Sequence, residues 1–168
     1  MATINFEFAD DIKKFGAKDF DACFNCGTCT AICDLSDTDN SFPRKMIRYT
    51  TLGITDEIMT SLDPWLCYYC GDCSTSCPRQ ADPGNLMMSL RRWLMSKYDW
   101  TGLSGLLYRH MSAYIVAFLL IIGGIVGAYM SGVFTQEEWL HYGHLFEMLA
   151  IAAIFAVILL PNIIRMWF

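Results

Sequence analysis

Apolar and polar positions follow two different rules along this chain, and the change falls near Tyr108. Before it, apolar residues recur at helical spacing between polar ones; after it, they run together almost unbroken. In the first regime residues 3–8 alternate and predict a short strand. Asp10 or Asp11 is then placed to cap a short helix that sets Ile12 and Phe15 on one face. Ser41 and Pro43 signal a helix start, Met46, Ile47 and Thr50 share a face, and Gly53 suits the position past its end. Thr55, with Asp56 and Glu57, opens another short helix through Ile58 and Met59. Asp63-Pro64 begins a further segment. Asp82-Pro83 opens a longer helix to about Tyr98, with Leu86, Met87, Leu90 and Leu94 packing inward and Arg91, Arg92 and Lys97 facing lipid headgroups or a partner.

The second regime reads as membrane. Met111 to Gln136 contains no charged residue, enough for a helix to cross the ~30 Å hydrocarbon layer. Met148–Ile164 is slightly short but spans if extended back to about Tyr142, with Glu147 in its first turns. The predicted spans are therefore about 110–132 and 143–164. The competing readings are a buried core helix for the first and a re-entrant or interfacial segment for the second. Gly123-x₃-Gly127 and Gly124-x₃-Ala128 form a small-residue face for close helix packing. Trp93, Tyr98, Trp100 and Tyr108 suit the interfacial belt. The domain reading is 1–100 for a cluster domain, 101–110 for a linker with a hinge at Thr101–Gly105, and 111–168 for a membrane domain.

Composition sharpens this division. Mean hydropathy is +0.32 and net charge −5, yet after Arg109 the only charged residues are Glu137, Glu138, Glu147 and Arg165. The preceding part is mildly acidic without a block of like charge, so nothing suggests nucleic acid as a partner. Arg91, Arg92, Lys97 and Arg109 precede the first span and Arg165 follows the second, while the connecting loop has only acids. That asymmetry predicts a location in the cytoplasmic membrane, with the cluster domain and both termini on the cytoplasmic side. The first twenty residues lack an apolar core, so no signal peptide is expected. A reducing compartment leaves thiols to metal and argues against disulfides.

All eight cysteines fall in two copies of one spacing: Cys23-x₂-Cys26-x₂-Cys29-x₃-Cys33 and Cys67-x₂-Cys70-x₂-Cys73-x₃-Cys77-Pro78. Three thiolates two residues apart can each take one iron of a cubane, and the fourth reaches a second cluster. This crossed pattern assigns Cys23, Cys26, Cys29 and Cys77 to one [4Fe–4S] cluster, and Cys67, Cys70, Cys73 and Cys33 to the other. Gly27 and Gly71 hold the same place in both repeats and can turn backbone N–H groups toward sulfur. Phe24, Tyr68 and Tyr69 are expected to shield the clusters from water. Asp34 stands where the second repeat has Pro78, a local turn difference. Structural zinc is the rival, but zinc sites usually use pairs of C-x₂-C, and these runs leave surplus thiols.

The chain has only three histidines. His110 sits at the entry of the first span, and His141 and His144 at the far entry of the second. Antiparallel spans put those ends ~30 Å apart, so His110 and His144 cannot hold one haem together; any b-haem would need its other axial ligand from elsewhere. All three are candidates for haem b or quinone, with solvated interfacial histidine as the plain alternative. His144 and Glu147 share a helical face, and Glu147 is either a proton-handling carboxylate or an acid favoured by a helix N-terminus. Met87, Met88 and Met95 read as core filling.

Cys23–Cys33, the segment Phe42-Pro43-Arg44-Lys45-Met46-Ile47-Arg48, Trp65-Leu66-Cys67 through Cys77-Pro78-Arg79 and the helix after it together resemble the iron–sulfur C-subunit family of heterodisulfide reductases. The resemblance covers roughly residues 20–98. Its best match is the membrane-fused branch, the C-subunits of quinone-interacting membrane-bound oxidoreductases (Qmo), which join such a domain to a cytochrome-b-like membrane part. That part has several more helices in the family, so this chain is either a piece of a longer cytochrome-b-like form or a distinct two-span anchor. The helical signals and the two apolar runs predict a mainly α fold, an α-helical ferredoxin-like two-cluster domain followed by a two-helix transmembrane segment. The resemblance implies single-electron transfer between a (mena)quinone pool and cytoplasmic flavin- and iron–sulfur-containing subunits, with adenylylsulfate reductase as the eventual partner in sulfur metabolism. The alternative is an iron–sulfur subunit serving thiol/disulfide chemistry on its neighbour in a complex; a third reading is a zinc-stapled membrane adaptor. No nucleophile or general-base constellation occurs before the spans, so the chain reads as an electron-transfer subunit without its own bond-making site.

Overall fold

A computed structural model describes residues 4–132 and 136–167, with the side chains of 136–142, 146 and 165–167 outside the description. Among the described residues the chain is helical and has no strand. Its backbone packing divides it into two units, Met1–Met95 and Ser96–Phe168.

In the first unit, α1 (Phe8–Lys14) begins earlier than the aspartates suggested, because Phe8 and Ile12 are both buried in its core-facing stripe. Asp10 and Asp11 lie inside its first turn, where acids favour the helix dipole, rather than at its cap. The strand expected over 3–8 is reduced to one isolated bridge, Ile4 to Ile54, closed by Asn5 N–H donating to Gly53 O at 2.9 Å. The alternation therefore reflected a single backbone pairing, with no second strand beside it.

Three short helices separate the cysteine repeats. They are α3 (Arg44–Leu52), α4 (Thr55–Thr60) and α5 (Asp63–Leu66), numbered after α2 (Thr28–Ala31) of the first repeat. Met46, Ile47 and Thr50 are the buried face of α3, as their spacing predicts, and Gly53 closes it at φ 71°. Asp63 ties this insert together: Asn40 Nδ2 donates to its Oδ1 at 2.8 Å and Lys45 Nζ lies 2.9 Å from its Oδ2. Burial alone would raise the Asp63 carboxyl, but the hydrogen bonds from Lys45 and Asn40 outweigh it and hold the group below the usual carboxylate range.

Lys45→Met is expected to destabilise this unit by about 2 kcal/mol, less than a fully buried pair because the lysine is partly exposed. A lowered carboxyl stabilises the fold above its ordinary value and loses that contribution as pH falls through the folded one. Denaturant titrations of the two proteins should therefore converge below about pH 4.

After α6 (Asp72–Thr75) of the second repeat, α7 (Pro83–Tyr98) supplies the core wall. Leu86, Met87, Leu90 and Leu94 are fully buried, as expected. Trp93 is buried too, at 3% exposure, with its ring edge-on to Phe8 at 4.8 Å. It therefore belongs to the core and not to the interfacial belt. Met87 fills the core, whereas Met95 is exposed.

In the second unit, the stretch expected as a linker contains α8 (Leu103–Arg109). Asp99 organises its start by accepting from Thr101 N–H at 2.9 Å and Ser104 N–H at 2.8 Å. Burial opposes its ionisation, but the bonds from Thr101 and Ser104 prevail and place its pKa at about 2. Next come α9 (Met111–Met130), α10 (Gln136–Ile154), a π-helical turn over Phe155–Leu159 and α11 (Leu160–Trp167). Met111–Met130 and Gly143–Ile164 are long and apolar enough to cross a membrane, at 20 and 22 residues, and neither is buried within the protein. A core helix would have been covered, so the first span is not the buried core helix of this chain.

Candidate iron–sulfur site

The two cysteine repeats fold alike. Cys23 and Cys67 both sit in extended backbone, at φ −68°, ψ 120° and φ −63°, ψ 118°. Two residues on, Asn25 and Tyr69 adopt left-handed backbone at φ 64° and 59°, and Gly27 and Gly71 both sit at φ 90°. The first and third cysteines are thus turned toward a common centre, and a short helix follows, α2 or α6. Glycine tolerates this conformation freely, but a tyrosine there is a sterically costly outlier. That cost marks the loop as shaped for its site.

N–H groups reach sulfur in both repeats. Asn25 N–H donates to Cys23 Sγ at 3.4 Å and Ala81 N–H to Cys77 Sγ at 3.4 Å. The Thr28 hydroxyl lies 3.3 Å from Cys26 Sγ. Its hydrogen bond holds the exposed Cys26 thiol below its ordinary pKa, with a smaller contribution from the Arg44 charge. Burial pushes Cys29 and Cys33 up, and takes Cys73 to about 11.

The cavities carry the decisive geometry. One, about 270 Å³, is lined by Cys23, Cys26 and Cys29 of the first repeat and by Cys77 of the second. The other, about 470 Å³, is lined by Cys67, Cys70 and Cys73 of the second repeat and by Cys33 of the first. Helices α2 and α6 pack together, which carries each fourth cysteine across to the opposite cavity. Arg79 Nε donates to Ala22 O at 3.4 Å, a further tie between the repeats.

Among the described residues no group of three or more His, Cys, Asp or Glu side chains converges to hold a single metal ion. A tetrahedral zinc with Zn–S near ~2.3 Å needs its thiolates about 3.8 Å apart. Four cysteines spread round a cavity suit an inorganic cluster with an iron for each thiolate. The donor set and the N–H groups aimed at sulfur therefore fit [4Fe–4S] groups.

The charged linings of the two cavities differ. The Cys23 cavity has Arg44 and no carboxylate; the Cys67 cavity has Asp34 and Asp72 and no lysine or arginine. Tyr68 and Tyr69 line the second cavity yet are both exposed, and Phe24 is exposed outside the first. These rings leave the sites open to water more than their positions in the sequence suggested.

Arg91 and Arg92, expected to face headgroups or a partner, turn inward. Arg91 donates to Pro64 O, to Trp65 O at 2.8 Å and to Cys67 O. Arg92 Nη1 donates to Phe15 O at 2.8 Å. The carbonyls at the end of α5 have no helical donor, and a forked guanidinium satisfies several at once. Arg91 is the functional residue that its sequence position hid. Arg91→Met should leave the Cys67 cavity poorly held while sparing the other. Iron release to a chelator is expected to become biphasic, with about half the iron leaving roughly tenfold faster, for a loss of about 1.4 kcal/mol or more.

A second lock joins this loop to α7. The Ser74 hydroxyl donates to Asp82 Oδ1 at 2.6 Å, and Gly84 N–H donates to Ser74 Oγ at 3.0 Å. A side chain at Gly84 would meet Ser74 Oγ at 2.9 Å and the Tyr69 ring at 3.3 Å.

The histidines are placed apart from this chemistry. His110 precedes the first residue of α9 and lines an open cavity with Lys97 and Arg109. His144 and Glu147 are exposed on α10. The side chain of His141 lies outside the described residues. His110 and His144 belong to the entry turns of different spans, so they do not supply both axial ligands of one haem when the spans run antiparallel.

Residues 19–81 match the family described as 4Fe-4S dicluster domain. The chain is 34% identical over 91 residues to a protein of Archaeoglobus profundus described as like the heterodisulfide reductase C-subunit, covering 54% of this chain and 48% of that one. It is 36% identical over 77 residues to the C-subunit of the H(2):CoB-CoM heterodisulfide,ferredoxin reductase of Methanothermobacter marburgensis, covering 46% and 42%. Against the second iron-sulfur C-subunit of the CoB--CoM heterodisulfide reductase of Methanocaldococcus jannaschii it is 28% identical over 123 residues, covering 68% and 63%. The chain spans about half the length of these first two relatives. Over part of its length the chain is thus homologous to the C-subunits of heterodisulfide reductases, and the dicluster domain at residues 19–81 supports iron–sulfur clusters as the cofactor.

Proposed function

We propose that this homologue of heterodisulfide reductase C-subunits is a membrane-bound electron-transfer protein, linking a quinone pool to cytoplasmic flavin- and iron–sulfur-bearing subunits. The observation that carries the reading is the pair of cavities, each lined by three cysteines of one repeat and one of the other. Cys23, Cys26, Cys29 and Cys77 would hold the first [4Fe–4S] cluster, and Cys67, Cys70, Cys73 and Cys33 the second. When bound, each cluster takes up and releases one electron at a time, which divides two-electron quinone chemistry into single steps.

The chain's own residues hold and tune these sites. Arg91 and the Ser74–Asp82 bond fix the second loop against α7. Arg44 supplies positive charge to the first cavity, and Asp34 and Asp72 negative charge to the second. Two helices of membrane-spanning length support a position for this wire at the bilayer, where quinone resides. His110, in a cavity with Lys97 and Arg109, and His144 beside Glu147 are candidate contacts for quinone or a b-haem, as is His141; any such haem would take its other axial ligand from elsewhere. The cluster domain and both termini are assigned to the cytoplasmic side, on the positive charges of Arg91, Arg92, Lys97 and Arg109 before the first span and Arg165 after the second. Adenylylsulfate reductase is the proposed downstream partner.

The test is anaerobic EPR and redox titration of the full chain with its complex, followed by menaquinol addition. Two interacting cubane signals that become reduced by menaquinol support the proposal. Acid-labile sulfide absent from anaerobic material rejects it. Reduction by a thiol/disulfide couple and not by quinols would instead favour service to disulfide chemistry on another subunit, the reading suggested by the names of its relatives.

A further inference from the structure

We infer that the groove along α3 beside the Cys23 cavity is the docking site of an acidic one-electron carrier protein. The inference rests on the clusters proposed above and adds to them a partner and a point of exit. Asn25, Arg44, Lys45, Arg48, Tyr49 and Leu52 are among the residues lining this open groove of about 940 Å³, and no carboxylate lines it. Lys45 is held by Asp63. Among the described residues no ion pair engages Arg44 or Arg48, so their charge is available. The chain as a whole carries −5, which makes this basic groove an exception to its surroundings.

The groove and the redox cavity share two residues, Asn25 and Arg44, and Cys26, which lines the cavity, is exposed. An acidic carrier seated there is brought to the cluster that Arg44 borders. One electron then leaves the cluster and one enters the carrier's centre; no bond forms and no proton moves. The composition suits a transient protein interface, with arginine and tyrosine present and Leu52 exposed as an apolar contact. A lipid surface has no need of a concavity joined to the redox site. Arg48, which has no ion pair among the described residues, is thereby explained.

The experiment uses the full chain in nanodiscs of zwitterionic lipid, reduced with dithionite, after EPR has verified both clusters. A missing signal at that stage defeats the cluster reading, and with it the electron exit proposed here. Stopped-flow mixing then follows reduction of acidic plastocyanin and, for comparison, basic cytochrome c. The plastocyanin rate is expected to fall as salt rises, against the trend that a net −5 protein would impose. Arg48→Glu should lower that rate about tenfold at low salt with cluster spectra unchanged, and Arg48→Lys should largely retain it. With both clusters present, a plastocyanin rate that rises with salt, or that ignores Arg48→Glu, overturns the docking inference alone. So does an Arg48→Glu effect seen only in nanodiscs of anionic lipid, which would assign the groove to headgroups.

Discussion

The Cys26→Ser/Cys77→Ser double variant should keep about half its iron, while Cys26→Ser/Cys33→Ser should keep almost none, if each cluster draws its ligands from both repeats. The reasoning is one of shared fate. Cys26 and Cys77 line one cavity, so removing both damages a single site. Cys33 lines the other, and pairing it with Cys26 damages both. If each repeat held its own cluster, the two results would exchange. Iron and acid-labile sulfide per chain decide the matter, supported by EPR, in which the spin coupling between clusters should vanish in the variant that keeps one. The effect is large because a cubane missing one thiolate is open to water and to chelators, and assembly is coupled to folding of its loop.

Arg44→Gln should lower the potential of the cluster in the Cys23 cavity and narrow the gap between the two. In the native chain that cluster is expected to be the more easily reduced, since Arg44 lines its cavity while Asp34 and Asp72 line the other. Arg91, bonded to the Cys67 carbonyl, offsets only part of that negative charge. A unit charge removed at roughly 8 Å through an effective dielectric of about 20 is worth about 2 kcal/mol, on the order of 90 mV for a one-electron couple. The guanidinium is close: a side-chain carbon on Gly27 would lie 3.0 Å from Arg44 Nη1. An EPR-monitored titration should therefore show the higher of two midpoints move down while the lower stays. Equal movement of both, or none, would remove Arg44 as the source of the asymmetry. With that order of potentials, downhill flow within the chain would run from the Cys67 cavity to the Cys23 cavity and on toward the proposed docking groove.

This asymmetry was already written in the repeats, as Asp34 against Pro78 and Asp72 against Thr28, but its meaning was hidden. Asp34 follows a cysteine of the first repeat, yet it lines the cavity built mostly by the second. Only the crossing of the fourth cysteines assigns its charge to a cluster. Arg91 was misread for a similar reason. On a helix after the cluster motif, near apolar spans, an arginine reads as a headgroup contact; its real partners lie 24 to 27 residues back. Trp93 suffered the same fate, because an aromatic near a membrane fits a belt until Phe8 is found packed against its ring.

Local rules served well where the cause was local. Pro43, Gly53, Thr55, Asp63-Pro64 and Asp82-Pro83 bound helices within a residue or two of where the structure has them, since capping and proline geometry act over a single turn. The cysteine spacing set the ligand chemistry, and the uncharged runs set two membrane-length helices, because backbone satisfaction in lipid depends on length and composition alone. Tertiary structure decided the rest: which thiols share a cavity, which arginine braces Cys67, and which charges stand beside which cluster. These depend on distances between residues far apart in sequence, fixed only when α2 meets α6 and the start of α7 bonds to the second loop. Electrostatic influence follows separation in space, so no spacing along the chain could have revealed it.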